Sequence, residues 1–268
     1  LILYNKLIYD KGRREKMDNK KKGALIGAGT LFTAIAVVGG SILNKKRKEK
    51  KEFKKLIQRT TYETGKIRKL GSLYLDGGKI ICPLDLINYE DVTEYNGEKI
   101  EIKDTDKDDS YNLRWVEINH EGKKLLICDR NILSSISYDE LNNQGLIFGK
   151  VVVIDNTRYL LRLLKGGDKK RDNEENEWNK YIVNVDNIPG LPVSNGFDTA
   201  SGDKNKSEKL YGDNNTLWNW YDFCSLTQNE CKDKCVVRGF YSNTYFNYVN
   251  KDVSYKTVGY RPVLEVIE

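Results

Sequence analysis

"RGFYSNTYFNYVNKDVSYKTVGYRPVLEVIE", residues 238–268, closes the chain, and how it is read decides the fold. Its end reads as structure. Pro262 has no amide hydrogen to give, so it belongs at the first position of a strand or on a sheet edge. Val263, Glu265 and Ile267 then face opposite to Leu264, Val266 and Glu268. The residues before it, rich in Asn, Tyr, Ser and Asp, read as a surface. Tyr covers area with few rotors, and Asn and Ser adapt their hydrogen bonds to what they meet.

Outward from that tail, the 268 residues carry 39% hydrophobic and 31% charged side chains, which suits one large globular domain or two small ones with appendages. The formal net charge of +6 sits near the N-terminus and comes with no base-reading motif, so no nucleic-acid partner is expected.

The chain begins with Leu1 and contains one methionine, Met17, where translation is expected to start; residues 1–16 then belong to upstream reading frame. Segment 23–44, "GALIGAGTLFTAIAVVGGSILN", has no charged side chain and is bracketed by lysines. At ~1.5 Å per residue it reaches across a ~30 Å hydrocarbon core. The sequence therefore predicts an N-terminal segment (1–22), a single transmembrane helix (23–44), a basic juxtamembrane segment (45–65) and a domain over 66–268. The expected location is the cell membrane, single-pass. The basic run favours a cytoplasmic domain, whereas a binding role favours the exterior. Residues 45–55 are expected to contact anionic lipid.

From residue 66 the pattern is β-rich. "SLYLDGGKIICPL" predicts two short strands around Asp-Gly-Gly, "RWVEINHEGKKLLICD" a hairpin around Asn119 to Gly122, and "GKVVVIDNTRYLLRLLKGG" two strands around Asp155-Asn156. "YDELNNQGLI" predicts a short helix or turn.

Catalytic chemistries lack their parts. His120 is the only histidine and lies in a predicted turn, which disfavours a Ser/His or Cys/His nucleophile and any multi-histidine metal site. There is no GxxxxGK[ST] loop. Cys82, Cys128, Cys224, Cys231 and Cys235 are odd in number. Cys231 and Cys235 have no second matched pair for zinc, and a disulfide from Cys224 to one of them is an option only outside the cell. The stretch from Asp104 begins like a calcium loop, then places Asp109 where a glycine is wanted and Trp115 where a bidentate Glu is wanted. No metal and no cofactor are expected.

"NEWNKYIVN", "LWNWYDF", "VVRG" and "GYRPVLEV" follow one another in the last third. In this order they resemble the C-terminal part of the C-type-lectin-like fold in its formylglycine-generating-enzyme-like branch, most of all the variable proteins of diversity-generating retroelements. The resemblance is specific from Trp178 to Glu268, looser from Trp115 to Gly167, and covers nothing before residue 66. It implies an α+β lectin-like domain with short helices and antiparallel strands, in which Trp178, Trp218, Trp220, Arg238, Gly239, Arg261 and Pro262 are scaffold. Enzymes of that branch use cysteines downstream of the Arg-Gly segment. Here Cys231 and Cys235 precede Arg238-Gly239, so the chemistry does not carry over, and no enzyme is expected.

By position, the resemblance makes Tyr241, Asn243, Tyr245, Asn247, Tyr248, Asn250, Asp252, Ser254 and Tyr255 the ligand surface, for a protein or glycan partner. Phe240, Phe246 and Val253 are expected to face inward. A tail diversified by the retroelement is one form of this expectation and a fixed lectin-like binder the other. A structural or adhesion component of a phage or envelope, or an unrecognised enzyme of the same branch, are the alternatives.

Overall fold

The computed structural model describes Lys48 and residues 61–268 apart from 83–87, 169–175, 195–212 and Glu268. The chain divides into Leu1–Thr60 and Thr61–Glu268, and the second unit carries the strands. In chain order these are β1 (Ile67–Leu75), β2 (Gly78–Lys79), β3 (Ile100–Lys103), β4 (Asn112–His120), β5 (Lys123–Cys128), β6 (Leu133–Ser134) and β7 (Lys150–Ile154). There follow β8 (Thr157–Arg162), β9 (Cys224–Cys231), β10 (Lys234–Gly239), β11 (Phe246–Asn250), β12 (Val258–Tyr260) and β13 (Val263–Val266).

Local turn chemistry sets the hairpins. Asp76-Gly77, Glu121-Gly122 and Asp155-Asn156 each hold two successive positive φ angles, the backbone that a tight two-residue hairpin needs. They join β1 to β2, β4 to β5 and β7 to β8, as the sequence reading expects. A bulge between Lys69 and Ser72 bends β1. Gly71 sits in it at φ +66°, where a Cβ would lie 3.0 Å from the Lys103 carbonyl oxygen. The Leu70 carbonyl beside it accepts the Trp115 indole N–H at 2.7 Å.

Long-range pairing assembles two sheets. The first runs β2-β1-β4-β5-β13-β8-β7, with β3 also on β1, and its pairings are antiparallel. It curls, so that Thr105, just past β3, donates its amide and hydroxyl to the Asp155 carboxylate in the β7–β8 turn. The second runs β11-β10-β9-β12-β6, with β12 parallel to β9.

The middle of the first sheet is buried on both faces, which explains the unbroken apolar run "LLIC" of β5. Leu126, Cys128, Trp115 and Leu264 pack toward the second sheet, with Leu226, Val237 and Tyr260. Leu125, Ile127, Val116 and Val263 pack the other way, under Trp178, Tyr181, Ile182, Trp218 and Trp220. Those aromatic residues come from a π-helical turn, Trp178–Val183, and a short helix, Asp213–Trp218, with its following residues.

An α+β lectin-like domain behind a transmembrane helix is not what forms. Strands take 41% and helices 14% of the described residues, and the dominant element is the curled antiparallel sheet. The physical reason lies in the connections. The stretches that could have been helices are single turns: Tyr138–Asn143, capped by Ser137 and Glu140, ends after six residues. Among the described residues no helix is long and apolar enough to cross a membrane, and a single-pass location in the cell membrane is therefore not supported. Segment 23–44, like the lipid contact expected at 45–55, lies outside the described residues.

Candidate ligand-contact surface

Among the described residues strand β11 is the edge of the second sheet and pairs only with β10. The loop between them, 240–245, begins from an unusual backbone: Gly239 has φ +93° and Phe240 φ +92°. Left-handed φ is rare for a bulky side chain and has to be imposed by surroundings. Here the Phe240 amide donates to the Trp220 carbonyl at 2.8 Å and the Asp222 amide to the Phe240 carbonyl at 2.8 Å, which clamps the residue against the Trp-rich segment. Gly239 is required there, because a Cβ would lie 3.1 Å from the Phe223 carbonyl oxygen in addition to its φ.

Beneath the loop is a polar layer sealed from water. Arg238 is fully buried and donates to the Tyr245 carbonyl at 3.0 Å, the Gly166 carbonyl at 2.7 Å and Asn179 Oδ1 at 2.7 Å. Arg261, also buried, donates to Ser225 Oγ at 3.0 Å, the Cys128 carbonyl at 3.1 Å and the Asn219 carbonyl at 3.2 Å. Burial pulls both guanidinium groups below their ordinary pKa, while these acceptors bind the charged form. Each guanidinium carbon lies 5.7 Å from the centre of the Trp178 ring, and the indole donates to the Asn243 carbonyl at 2.6 Å. Pro262 immediately precedes β13, and its carbonyl accepts from the Cys128 amide.

The expected contact residues separate into three groups. Asn243 is 3% exposed and structural: its amide donates to Asn214 Oδ1 at 2.9 Å and its Oδ1 accepts from Ser194 Oγ at 3.0 Å. It has no face for a ligand. Tyr245 and Tyr255 are half-buried against the core. Tyr241, Asn247, Tyr248, Asn250, Asp252 and Ser254 are exposed. Phe240 packs inward, and Phe246 lies half-buried beside Arg238, 5.6 Å from its guanidinium, but Val253 is 39% exposed and faces out.

The rings are organised among themselves. Tyr241 meets Phe240 edge-on at 4.6 Å and Tyr245 at 5.3 Å. Tyr248 meets Phe246 edge-on at 5.2 Å and donates its hydroxyl to the Asp168 carbonyl at 2.5 Å. Asn247 donates to the Tyr245 hydroxyl at 3.1 Å and caps the Tyr248 amide with its own Oδ1 at 2.9 Å. Burial raises the Tyr245 and Tyr248 hydroxyl pKa values, so both rings remain neutral hydrogen-bonding groups near neutral pH. The result is an aromatic and carboxamide surface, in part pre-ordered, on a rigid sheet edge.

Sequence reasoning missed the asparagines that build the layer below. Asn214 uses all four of its hydrogen-bonding positions: its amide donates to the Ile182 and Pro192 carbonyls, and its Oδ1 accepts from Trp220 Nε1 and Asn243 Nδ2. Asn215 Oδ1 accepts from the Trp220 and Tyr221 amides. The only sequence signal was their place directly before a Trp-rich run whose indoles need acceptors. Trp218, fully buried, finds no acceptor for its indole N–H among the described residues.

The cysteines are free thiols. Cys231 is exposed at the β9–β10 turn, whereas burial pushes Cys224 and Cys235 up to about 12, far from a reactive thiolate. His120 ends β4, 3.5 Å from Glu121. The acids after Asp104 serve their own loop: Asp106 pairs with Lys79 at 2.5 Å, Asp109 with Lys69 at 2.9 Å, and Asp108 caps Ser110.

No protein-family model matches the chain, and comparison with curated proteins and with solved structures also finds no match.

Proposed function

We propose that this chain is a ligand-recognition protein, not an enzyme, and that it binds its partner through the exposed edge formed by the 240–245 loop, β11 and the turn that follows. One observation carries the reading. Tyr241 and Tyr248 are 41% and 37% exposed on a backbone that two hydrogen bonds and a buried arginine hold in place. Keeping large rings in water on an immobilised frame is what a contact surface does: the rings' ordering cost is met before the partner arrives. The partner we favour is a protein surface, on which phenol and carboxamide groups can both stack and hydrogen-bond. Within this reading the resemblance to retroelement variable proteins is kept for the contact segment, without the lectin-like fold.

The test uses the full chain as bait against host and phage protein fractions, and against a glycan array, beside the Tyr245→Ala/Tyr248→Ala variant. A partner held by the wild type and released by a variant of unchanged melting behaviour supports recognition. Binding that survives the double variant, or that is lost only together with folding, refutes this surface. Sequencing codons 240–258 in a natural population then separates a diversified tail from a fixed one.

A further inference from the structure

Strand β11 meets β10 along one side, and the alternation of its bonds fixes which main-chain groups face the other. The Gly239 amide donates to the Tyr245 carbonyl at 3.3 Å and the Lys251 amide to the Asp233 carbonyl at 3.0 Å, so the hydrogen-bonded pairs fall at 245, 247, 249 and 251. The amides and carbonyls of Phe246, Tyr248 and Asn250 therefore point away from β10. The Tyr248 amide is occupied by Asn247 Oδ1 at 2.9 Å, and the other outward groups meet no partner among the described residues. Elsewhere the chain covers its own edges. At the far end of this sheet the Ser134 amide donates to the Thr93 carbonyl and the Tyr95 amide to the Ser134 carbonyl, both at 3.0 Å. On β3 the Ile100 amide donates to Gln144 Oε1 at 2.8 Å. Strand β11, Phe-Asn-Tyr-Val-Asn, has no lysine, proline or bulge of the kind that guards a bare edge.

We propose, resting on the reading of this edge as the contact surface, that the partner docks by strand addition: an extended segment of another protein lies along β11 and takes its open main-chain groups. A row of amides and carbonyls at strand spacing is matched by a second peptide backbone, which supplies affinity, while alternate side chains of the added strand supply specificity. On one face these meet the Phe246 and Tyr248 rings, which suit a β-branched or aromatic side chain; on the other they meet Asn247 and Val249. Asn247 favours a foreign strand over a second copy. In the two-fold antiparallel register that pairs β11 with itself along its whole length, Tyr248 meets its own counterpart, and both central bonds need an amide that Asn247 already holds. A foreign strand forgoes one of them.

Unconstrained peptides selected from a display library against the full chain, then resynthesised with methylated main-chain amides, test this. The expected result is a peptide whose affinity falls about tenfold when one alternate set of its amides is methylated and stays level when the other set is. Asn250→Pro, which removes an outward amide and leaves the β10 ladder alone, should weaken binding about tenfold, whereas Asn250→Ala should not. Asn247→Ala should tighten binding and let a chain that sediments as a monomer dimerise. Binding that Tyr245→Ala/Tyr248→Ala abolishes, but that ignores methylation and Asn250→Pro, overturns strand addition and leaves the recognition edge standing. Peptides that none of these variants affects overturn both. A wild-type dimer that Asn250→Pro dissolves also overturns the proposal, making a second copy the occupant, as does a library that yields no binder at this edge.

Discussion

The outer face of residues 240–255 and the layer directly beneath it are made from the same residue types and behave in opposite ways. Asn247 and Asn250 are exposed, whereas Asn243 is 3% exposed with both its amide nitrogen and its Oδ1 hydrogen-bonded. Tyr241 and Tyr248 are exposed, whereas Tyr260 is fully buried. Residue type therefore does not separate exposed from buried positions here; the backbone path, clamped at Phe240, does. The two layers should respond oppositely to substitution, the lower in stability and the upper in binding.

The largest effect belongs to the lower layer. Replacing Arg238 by Met removes a guanidinium that donates to the Tyr245 carbonyl, the Gly166 carbonyl and Asn179 Oδ1 at once. Leaving buried acceptors unpaired is expensive, and the expected loss is about 3–5 kcal/mol in urea denaturation. A midpoint shifted by less than a fifth of that would mean that water replaces the guanidinium and that the layer is not sealed. Gly239→Ala comes next, at about 2–3 kcal/mol, because it combines a left-handed φ with a Cβ facing the Phe223 carbonyl. An equal loss of partner binding at unchanged stability would move Gly239 from scaffold to surface.

Alkaline pH probes the core that both layers rest on. Cys224 and Cys235 are raised from an ordinary 9.0 to about 12 by burial, and Tyr181 from 10.0 to about 12. These groups lose their protons more readily in the unfolded chain. Their contribution is fully present below pH 9 and is lost as pH rises toward 12, so the urea midpoint should fall over that window. Cys235→Ala should flatten the slope. A midpoint that stays level to pH 11 would contradict the burial of these thiols.

What the sequence made legible was local. Hairpins at Asp76-Gly77, Glu121-Gly122 and Asp155-Asn156 follow from turn residues and alternation, because a two-residue turn fixes its own register. Pro262 at the threshold of β13 follows from its missing donor. The place of β13 between β5 and β8, and the parallel pairing of β12 with β9, could not be read, since nothing near those residues encodes which distant strand they meet. The fold class that the resemblance implied is not the one that forms, because short helical turns and polar loops in sequence do not reveal that one sheet curls over the rest. Within the stretch expected to form the contact surface, which side chains are buried was not legible. Asn243 lies in the 240–245 loop and Val253 in the turn after β11, so neither sits in a strand whose alternation would fix its face.

The smallest expected change tests the boundary between the layers. The Tyr248 ring is exposed, yet its hydroxyl donates to the Asp168 carbonyl, in the backbone of another segment. Tyr248→Phe keeps the ring and its edge contact with Phe246 and removes that bond. At a solvent-accessible position the cost should be no more than about 1 kcal/mol. If the phenol acts toward the partner, Phe at this position should weaken binding while the melting temperature barely moves. If it serves as a tether for the Gly166–Asp168 segment, amide exchange at Gly166 and Gly167 should quicken instead, with binding intact. The amides of those two glycines donate to Asn229 Oδ1, at 2.7 and 3.1 Å, and so report on the tether directly. Faster exchange without weaker binding would place Tyr248 in the scaffold beside Asn243 and shift the contact surface toward Tyr241 and the turn at Asp252 and Val253.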